Sequence, residues 1–231
     1  MNPGTQDKPF LPYGPWVTLA LTGAVLVISG MMSQMLMLAV GAELDPSTAN
    51  DPMLAYGIIA NLLGIAAIMK LADWRAPGRA TSYLAIQPFD RDMLWRWIAI
   101  AGALFATEWI VEAVVRPAFD IPPPQTWLDG VPFGALLVLT VIITGPVLEE
   151  LLFRGFLLEG LLPTRLGQAG ALTLSALAWT LLHFQYDLLS LLFVFALGII
   201  FGLARLATGS LLPAILLHVA WNALWMLLTY V

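Results

Sequence analysis

TGPVLEELLFRGFLL, residues 144–158, carries two adjacent carboxylates, Glu149 and Glu150, and an arginine, Arg154. The carboxylates follow eighteen residues without a charge, Val131 to Leu148. A charge placed that far into apolar sequence is costly at bilayer depth, so it marks a functional site by default and demands partners. Glu150 and Arg154 are four residues apart in acid-first order, which sets them on one face of a helix as an ion pair. Further partners are few: the chain has two histidines, His183 and His218, both in later apolar stretches. Asn222 follows His218 by one helical turn and faces the same groove. Glu149, Glu150, Arg154, His183, His218 and Asn222 therefore read as one site, and the rest of the chain as the membrane scaffold that assembles it.

Composition agrees with a scaffold in lipid. Of 231 residues, 60% are hydrophobic and 11% charged, whereas a soluble domain carries about a quarter charged residues. There are no cysteines, which removes disulfides, thiolate metal sites and a cysteine nucleophile together. The net charge of −5 says little about partners, and no basic surface for nucleic acid is present.

In chain order, Met1 to Pro15 reads as a polar leader and Trp16 to Val40 as a retained first span. That run is too long for a signal-peptide core and has no small-residue cleavage site. Ala42 to Asp51 is acidic and turn-rich, and Pro52 to Met69 is a second span. Lys70 to Asp92 is a basic linker, and Met93 to Val115 a third span interrupted by Glu108 and Glu112, which read as a solvated interfacial face. Arg116 to Pro132, with five prolines, is expected to be extended and semi-rigid. The fourth span runs from Val131 to about Gly160, the fifth from Ala169 to His183, the sixth from Leu188 to Ala204 and the seventh from Leu211 to Tyr230. Gly198 and Gly202 have the spacing that lets two helices approach closely. The fold expected is all-α: a polytopic bundle of about seven spans, with 1–130 supplying membrane helices and the Pro-rich loop, and 131–231 the catalytic core.

Of the ten Lys and Arg residues, all but Arg116 fall on one side of this topology or its flanks. The positive-inside rule then places the N-terminus in the cytoplasm and the C-terminus outside, and a bacterial inner membrane is the expected host. Counting inward from the basic side, Glu149, His183 and Asn222 lie at roughly 16, 21 and 20 Å. Three motifs distant in sequence thus meet in one layer.

The order EExxxR, aromatic-xxx-His and HxxxN, each on its own span, resembles the CPBP family of intramembrane proteases, which includes the Rce1-type CAAX prenyl endopeptidases and bacteriocin-immunity relatives. The matching residues are Glu149-Glu150 with Arg154, Trp179 with His183, and His218 with Asn222, within the last 90 or so residues. Trp179 departs from the phenylalanine usual in the family. The resemblance implies that Glu149 and His183 activate water, that His218 and Asn222 stabilise an oxyanion, and that Glu150 belongs to the catalytic set. Arg154 and Trp179 would orient it. The implied substrate is a membrane-embedded or lipid-anchored protein or peptide, with no cofactor.

Peptide hydrolysis does need such a set: a base for water, donors for the oxyanion and an acid for the leaving amine. Other intramembrane protease signatures, HExxH, GxSG and GxGD, are absent from the sequence. Two histidines and a glutamate also form a known catalytic zinc set, so a zinc site of Glu149, His183 and His218 stays as the lesser alternative. Outside proteolysis, the chain could be a non-catalytic scaffold or immunity factor binding a partner peptide. A proton relay through Glu108, Glu112 and Glu149 is a third reading.

Overall fold

The computed structural model describes residues 10–39, 51–122 and 134–230. Most of the leader, the acidic turn before Asp51 and most of the Pro-rich loop lie outside these residues. Among the described residues the chain is helical and has no strand. Helix α1 spans Pro15–Ala39, α2 Asp51–Arg75 and the short α3 Ala80–Tyr83. Helix α4 runs over Arg91–Ala118 and α5 over Ala135–Leu161. They are followed by α6, Gly167–Thr180, α7, Leu188–Thr208, and α8, Leu212–Tyr230.

Each expected span has its helix. Five of them, α1, α2, α4, α5 and α7, are long and apolar enough to cross a membrane, and the chain is a multi-pass membrane protein. Helix α8 is a shorter apolar segment. Helix α6 has 14 residues, about 21 Å of helix against a hydrocarbon core of about 30 Å. Its C-terminal end, which leads into the Leu181–His183 turn, therefore lies short of the far edge of that core. Helix α2 continues through Lys70 to Arg75, so the basic linker between the second and third spans is shorter than the charge pattern alone suggests.

Helix α5 is the hub. Every residue from Glu150 to Leu158 is buried, as expected of a helix apolar on all sides and surrounded by others. It packs against α1, α2, α6 and α8, while α7 packs on α4, α6 and α8. Leu152, Phe153, Phe156 and Leu157 form the centre of the core with Tyr83, Leu84 and Phe201. The close approach expected of Gly198 is present: a Cβ there would lie 3.0 Å from Ala176 Cβ on α6.

Two helices widen ahead of a proline. Proline has no N–H to donate, and the backbone adjusts by shifting to i→i+5 hydrogen bonding over one or two turns. This occurs at Val111–Val115, ahead of Pro117, and at Val138–Thr144, ahead of Pro146. In the second case the Gly145 N–H bonds Thr140 O. Val141 O thereby loses its ordinary partner, and the residue five ahead of it is Pro146. That stranded carbonyl becomes part of the site. A third widened stretch, Leu151–Leu157, carries Arg154.

Candidate active site

Glu149 and Glu150 are consecutive on α5, so about 100° of helical turn separates them and they meet different surroundings. Glu150 points into the bundle and is fully buried. Its Oε1 accepts from Arg154 Nη1 at 2.7 Å and faces His218 Nδ1 at 2.9 Å. The pair read from spacing four is thus present and is extended by a histidine 68 residues away. Arg154 is itself 1% exposed. Its guanidinium lies 4.3 Å from the Trp179 ring centroid and 5.6 Å from that of Phe201, so ring faces supply the negative potential that water would otherwise provide.

Glu149 turns toward α6 and keeps 29% of its side chain exposed. Its Oε2 accepts from Trp179 Nε1 at 2.6 Å. This bond uses the indole N–H, which a phenylalanine lacks, so the departure at position 179 has a structural consequence. His218 Nε2 lies 3.9 Å from the same Oε2, too far for a direct hydrogen bond. A water bonded to both atoms at ~2.8 Å would subtend about 90° at its oxygen, so the gap admits one bridging molecule.

His218 is clamped on every side. Its ring stacks on Phe201 at 5.2 Å and meets Trp179 edge-on at 5.3 Å. A carboxylate only accepts, so Nδ1 carries the hydrogen bonded to Glu150, and Nε2 is the atom presented to Glu149. His183 extends α6 by one tight turn, Leu181–His183, and its Nδ1 lies 3.1 Å from Trp179 O. A carbonyl likewise only accepts, so Nδ1–H is the donor and Nε2 is left for the site. The His183 ring packs 5.0 Å from Trp179 and 5.7 Å from Tyr186. Trp179 therefore touches Glu149, Arg154, His183 and His218 together.

Asn222, one turn beyond His218 on α8, donates through Nδ2 to Val141 O at 2.9 Å. It satisfies the carbonyl that Pro146 strands, and retains one amide hydrogen and Oδ1. Ser175 plays a matching part lower down, donating to Phe153 O at 2.8 Å. Of the seven residues singled out from sequence, the structure links Glu149, Glu150, Arg154, Trp179 and His218 directly. His183 joins them through Trp179, and Asn222 through the widened turn of α5. Among the described residues, no three His, Asp or Glu side chains are gathered closely enough to hold a metal ion.

Phe201, Ser175 and Tyr186 are not indicated by any motif; each is ordinary in an apolar helix or a turn until the helices are packed. The acidic pair on α4 also departs from expectation. Glu112 does not lie on a solvated face: it is 18% exposed and its Oε1 is 2.8 Å from Nε of Arg116, which is 2% exposed. Glu108 approaches Trp225 Nε1 at 3.4 Å.

Residues 131–224 match the Rce1-like family, type II CAAX prenyl endopeptidase. That range contains all seven site residues. The chain is also 37% identical over 156 residues to an uncharacterized 24.3 kDa protein of Escherichia coli, covering 57% of this chain and 70% of that one. No solved structure matches. Through residues 131–224, this chain belongs to the Rce1-like (type II CAAX prenyl endopeptidase) family.

Proposed function

We propose that the protein is an intramembrane endopeptidase that hydrolyses a peptide bond of a membrane-embedded or lipid-anchored protein or peptide, with Glu149 as the general base. The observation that carries this reading is the division between the two adjacent carboxylates. Glu150 is fully buried and committed to Arg154 and His218. Glu149 is partly exposed and held through one oxygen by Trp179. One acid builds the site; the other is available to water.

In this mechanism His218 donates through both ring nitrogens, Nδ1–H to Glu150 and Nε2–H beside Glu149 toward the reacting carbonyl. Glu149 then takes a proton from water as the water oxygen bonds to the carbonyl carbon. The developing oxyanion accepts from His218 Nε2–H and the remaining Asn222 amide hydrogen. His183 Nε2, with its lone pair set by the Trp179 O bond, holds the other water hydrogen. Collapse breaks the C–N bond, and Glu149 passes its proton to the leaving amine. Glu149, His183, His218 and Asn222 thus act on the reacting atoms; Glu150, Arg154 and Trp179 orient them.

No metal enters this sequence of steps. The family's name ties it to CAAX prenyl substrates; for this chain we propose the broader class of membrane-associated peptides, in a membrane with the N-terminus cytoplasmic. The test is Glu149→Gln in purified protein against a peptide library. Gln keeps the shape and accepts the Trp179 N–H but takes no proton, so turnover should fall ~10²–10⁴-fold with the fold intact. Chelators should leave wild-type turnover unchanged. Full turnover by a folded Glu149→Gln variant would end this reading. Peptide binding by wild type without cleavage would favour the scaffold, and zinc-dependent reactivation would make Glu149, His183 and His218 ligands.

A further inference from the structure

Arg116 lies outside the family-matched residues, and its partners account for all three of its guanidinium nitrogens. Nε donates to Glu112 Oε1 at 2.8 Å and Nη1 to Pro122 O at 2.8 Å. Nη2 donates to Asp187 Oδ2 at 2.9 Å and to Ser190 Oγ at 2.8 Å. The side chain is 2% exposed. A charge so placed needs compensation on every side, and here one cation answers two carboxylates, the second of them 71 residues away in the chain.

Asp187 is not an isolated partner. It is the N-cap of α7: its Oδ1 accepts from the Leu189 and Ser190 N–H groups, and its Oδ2 from Ser190 Oγ. Four residues earlier stands His183, at the end of a helix too short for a full crossing. The turn between them is closed by Tyr186 N–H bonding His183 O at 2.9 Å. The flanking apolar side chains Leu181, Phe184 and Leu188 are 70%, 81% and 74% exposed, so they supply little packing to fix the turn. The ionic tie supplies it instead.

We propose that Arg116 is a positioning residue for His183. By tying the end of α4 to the cap of α7, it holds the 183–187 turn in place, and with it the His183 ring whose Nδ1 lies on Trp179 O. The turn at Val111–Val115 just ahead of it is widened, with the Arg116 N–H bonding Val111 O. This rests on the reading of His183 as a water-handling group, and its test includes a readout that does not depend on activity.

The chain has two histidines, so protein labelled with ¹⁵N-histidine gives two separable ring environments. In Arg116→Gln, the His183 ring should lose its single Nδ1–H pattern and broaden, while His218, locked between Glu150 and Phe201, keeps its own. Peptide turnover should fall about 10- to 100-fold, the scale of a misplaced catalytic group, with Arg116→Lys between the two. In a His183→Gln background, adding Arg116→Gln should cost no further activity. Asp187→Asn keeps a capping side chain but removes the charge, and should give the same His183 signature if Arg116→Gln fails to fold. Unchanged His183 signals in a folded Arg116→Gln protein, or equal change at both rings, overturns the proposal. So does failure of both variants to fold, which would make the tie a folding element. If wild type cleaves no peptide, the proteolytic reading falls, and the ring signals still decide whether Arg116 sets His183.

Discussion

Removing Arg154 should separate the electrostatic from the steric role of the buried cluster. Arg154→Met keeps an unbranched side chain in the same channel, so it limits the cavity and isolates the lost charge. The variant strands Glu150, which is fully buried, with His218 Nδ1 at 2.9 Å as its remaining partner. Breaking a buried ion pair from one side typically costs about 3–5 kcal/mol. Loss of the guanidinium from the Trp179 and Phe201 faces adds to this, by about 0.5–2 kcal/mol for a desolvated cation–π contact. The His218 Nδ1 bond that Glu150 keeps offsets part of it, which places the expectation near the lower bound, about 3 kcal/mol. For a chain of this length that is a drop in melting temperature of roughly 6–12 °C, measurable by thermal unfolding in detergent. The second arm is the double variant Glu150→Gln/Arg154→Met. Replacing both members of a buried pair with neutral groups is often neutral or stabilising, and the side-chain amide oxygen introduced at position 150 still accepts from His218. The double variant should therefore melt above Arg154→Met. Equal melting of Arg154→Met and wild type, or a double variant no better than the single, would refute the view that Glu150 needs a counter-charge.

Three other expectations test separate parts of the structure. Burial pushes the Asp187 carboxyl up, but the Ser190 N–H, the Arg116 guanidinium and the Ser190 hydroxyl together hold it below the ordinary value. A depressed folded-state value means that its contribution is present above the unfolded pKa and is lost as pH falls through the folded one. Acid unfolding curves should accordingly show a shallower low-pH limb in Asp187→Asn. Gly198→Ala would set a Cβ 3.0 Å from Ala176 Cβ and 3.2 Å from Arg154 Nη2. Neither neighbour yields easily, so the variant should lose about 1–3 kcal/mol in the same thermal assay. For topology, a reporter inserted at Ala80 should read as cytoplasmic and one fused after Val231 as non-cytoplasmic; a cytoplasmic C-terminus would mean that α6 or α8 does not cross.

Much of this is legible in the sequence because membrane helices obey strong rules. Charge-free runs mark the helices, and spacing four marks the Glu150–Arg154 pair. Depth counting brings α5, α6 and α8 to one layer. What pattern does not carry is helical phase. Adjacent carboxylates look equivalent in sequence, and only packing shows that Glu150 faces His218 while Glu149 faces Trp179. The indole N–H on Glu149 is hidden because position 179 reads as a generic aromatic. Asn222 has a structural task, the carbonyl stranded by Pro146, that is visible only when i→i+5 bonding is seen. In sequence Arg116 reads as the lone basic residue on the far side, and Glu112 as a wet surface residue. Asp187, the second carboxylate on Arg116, stands in a turn with nothing in the local sequence to single it out.

The cost of the site explains its arrangement. Ionisable groups at membrane depth are tolerable only if each charge has a short, directed partner, and α5 supplies that partner for Glu150 within one turn through Arg154. Once that pair is formed, its remaining needs dictate the neighbours: a hydrogen donor for Glu150, which is His218, and aromatic faces for Arg154, which are Trp179 and Phe201. Those same neighbours then fix the rest of the chemistry. His218, with Nδ1 committed to Glu150, can present only Nε2, and Trp179, stacked on Arg154, can aim only its N–H at Glu149. The reactive carboxylate is thus oriented by groups whose positions are already set by neutralising the other carboxylate. The buried ion pair is then needed less for stability than for direction. A variant that keeps the fold but removes both charges, such as Glu150→Gln/Arg154→Met, should therefore stay folded and still lose turnover, because Trp179 loses the guanidinium that lies 4.3 Å from its ring centroid and is no longer held with Nε1 on Glu149.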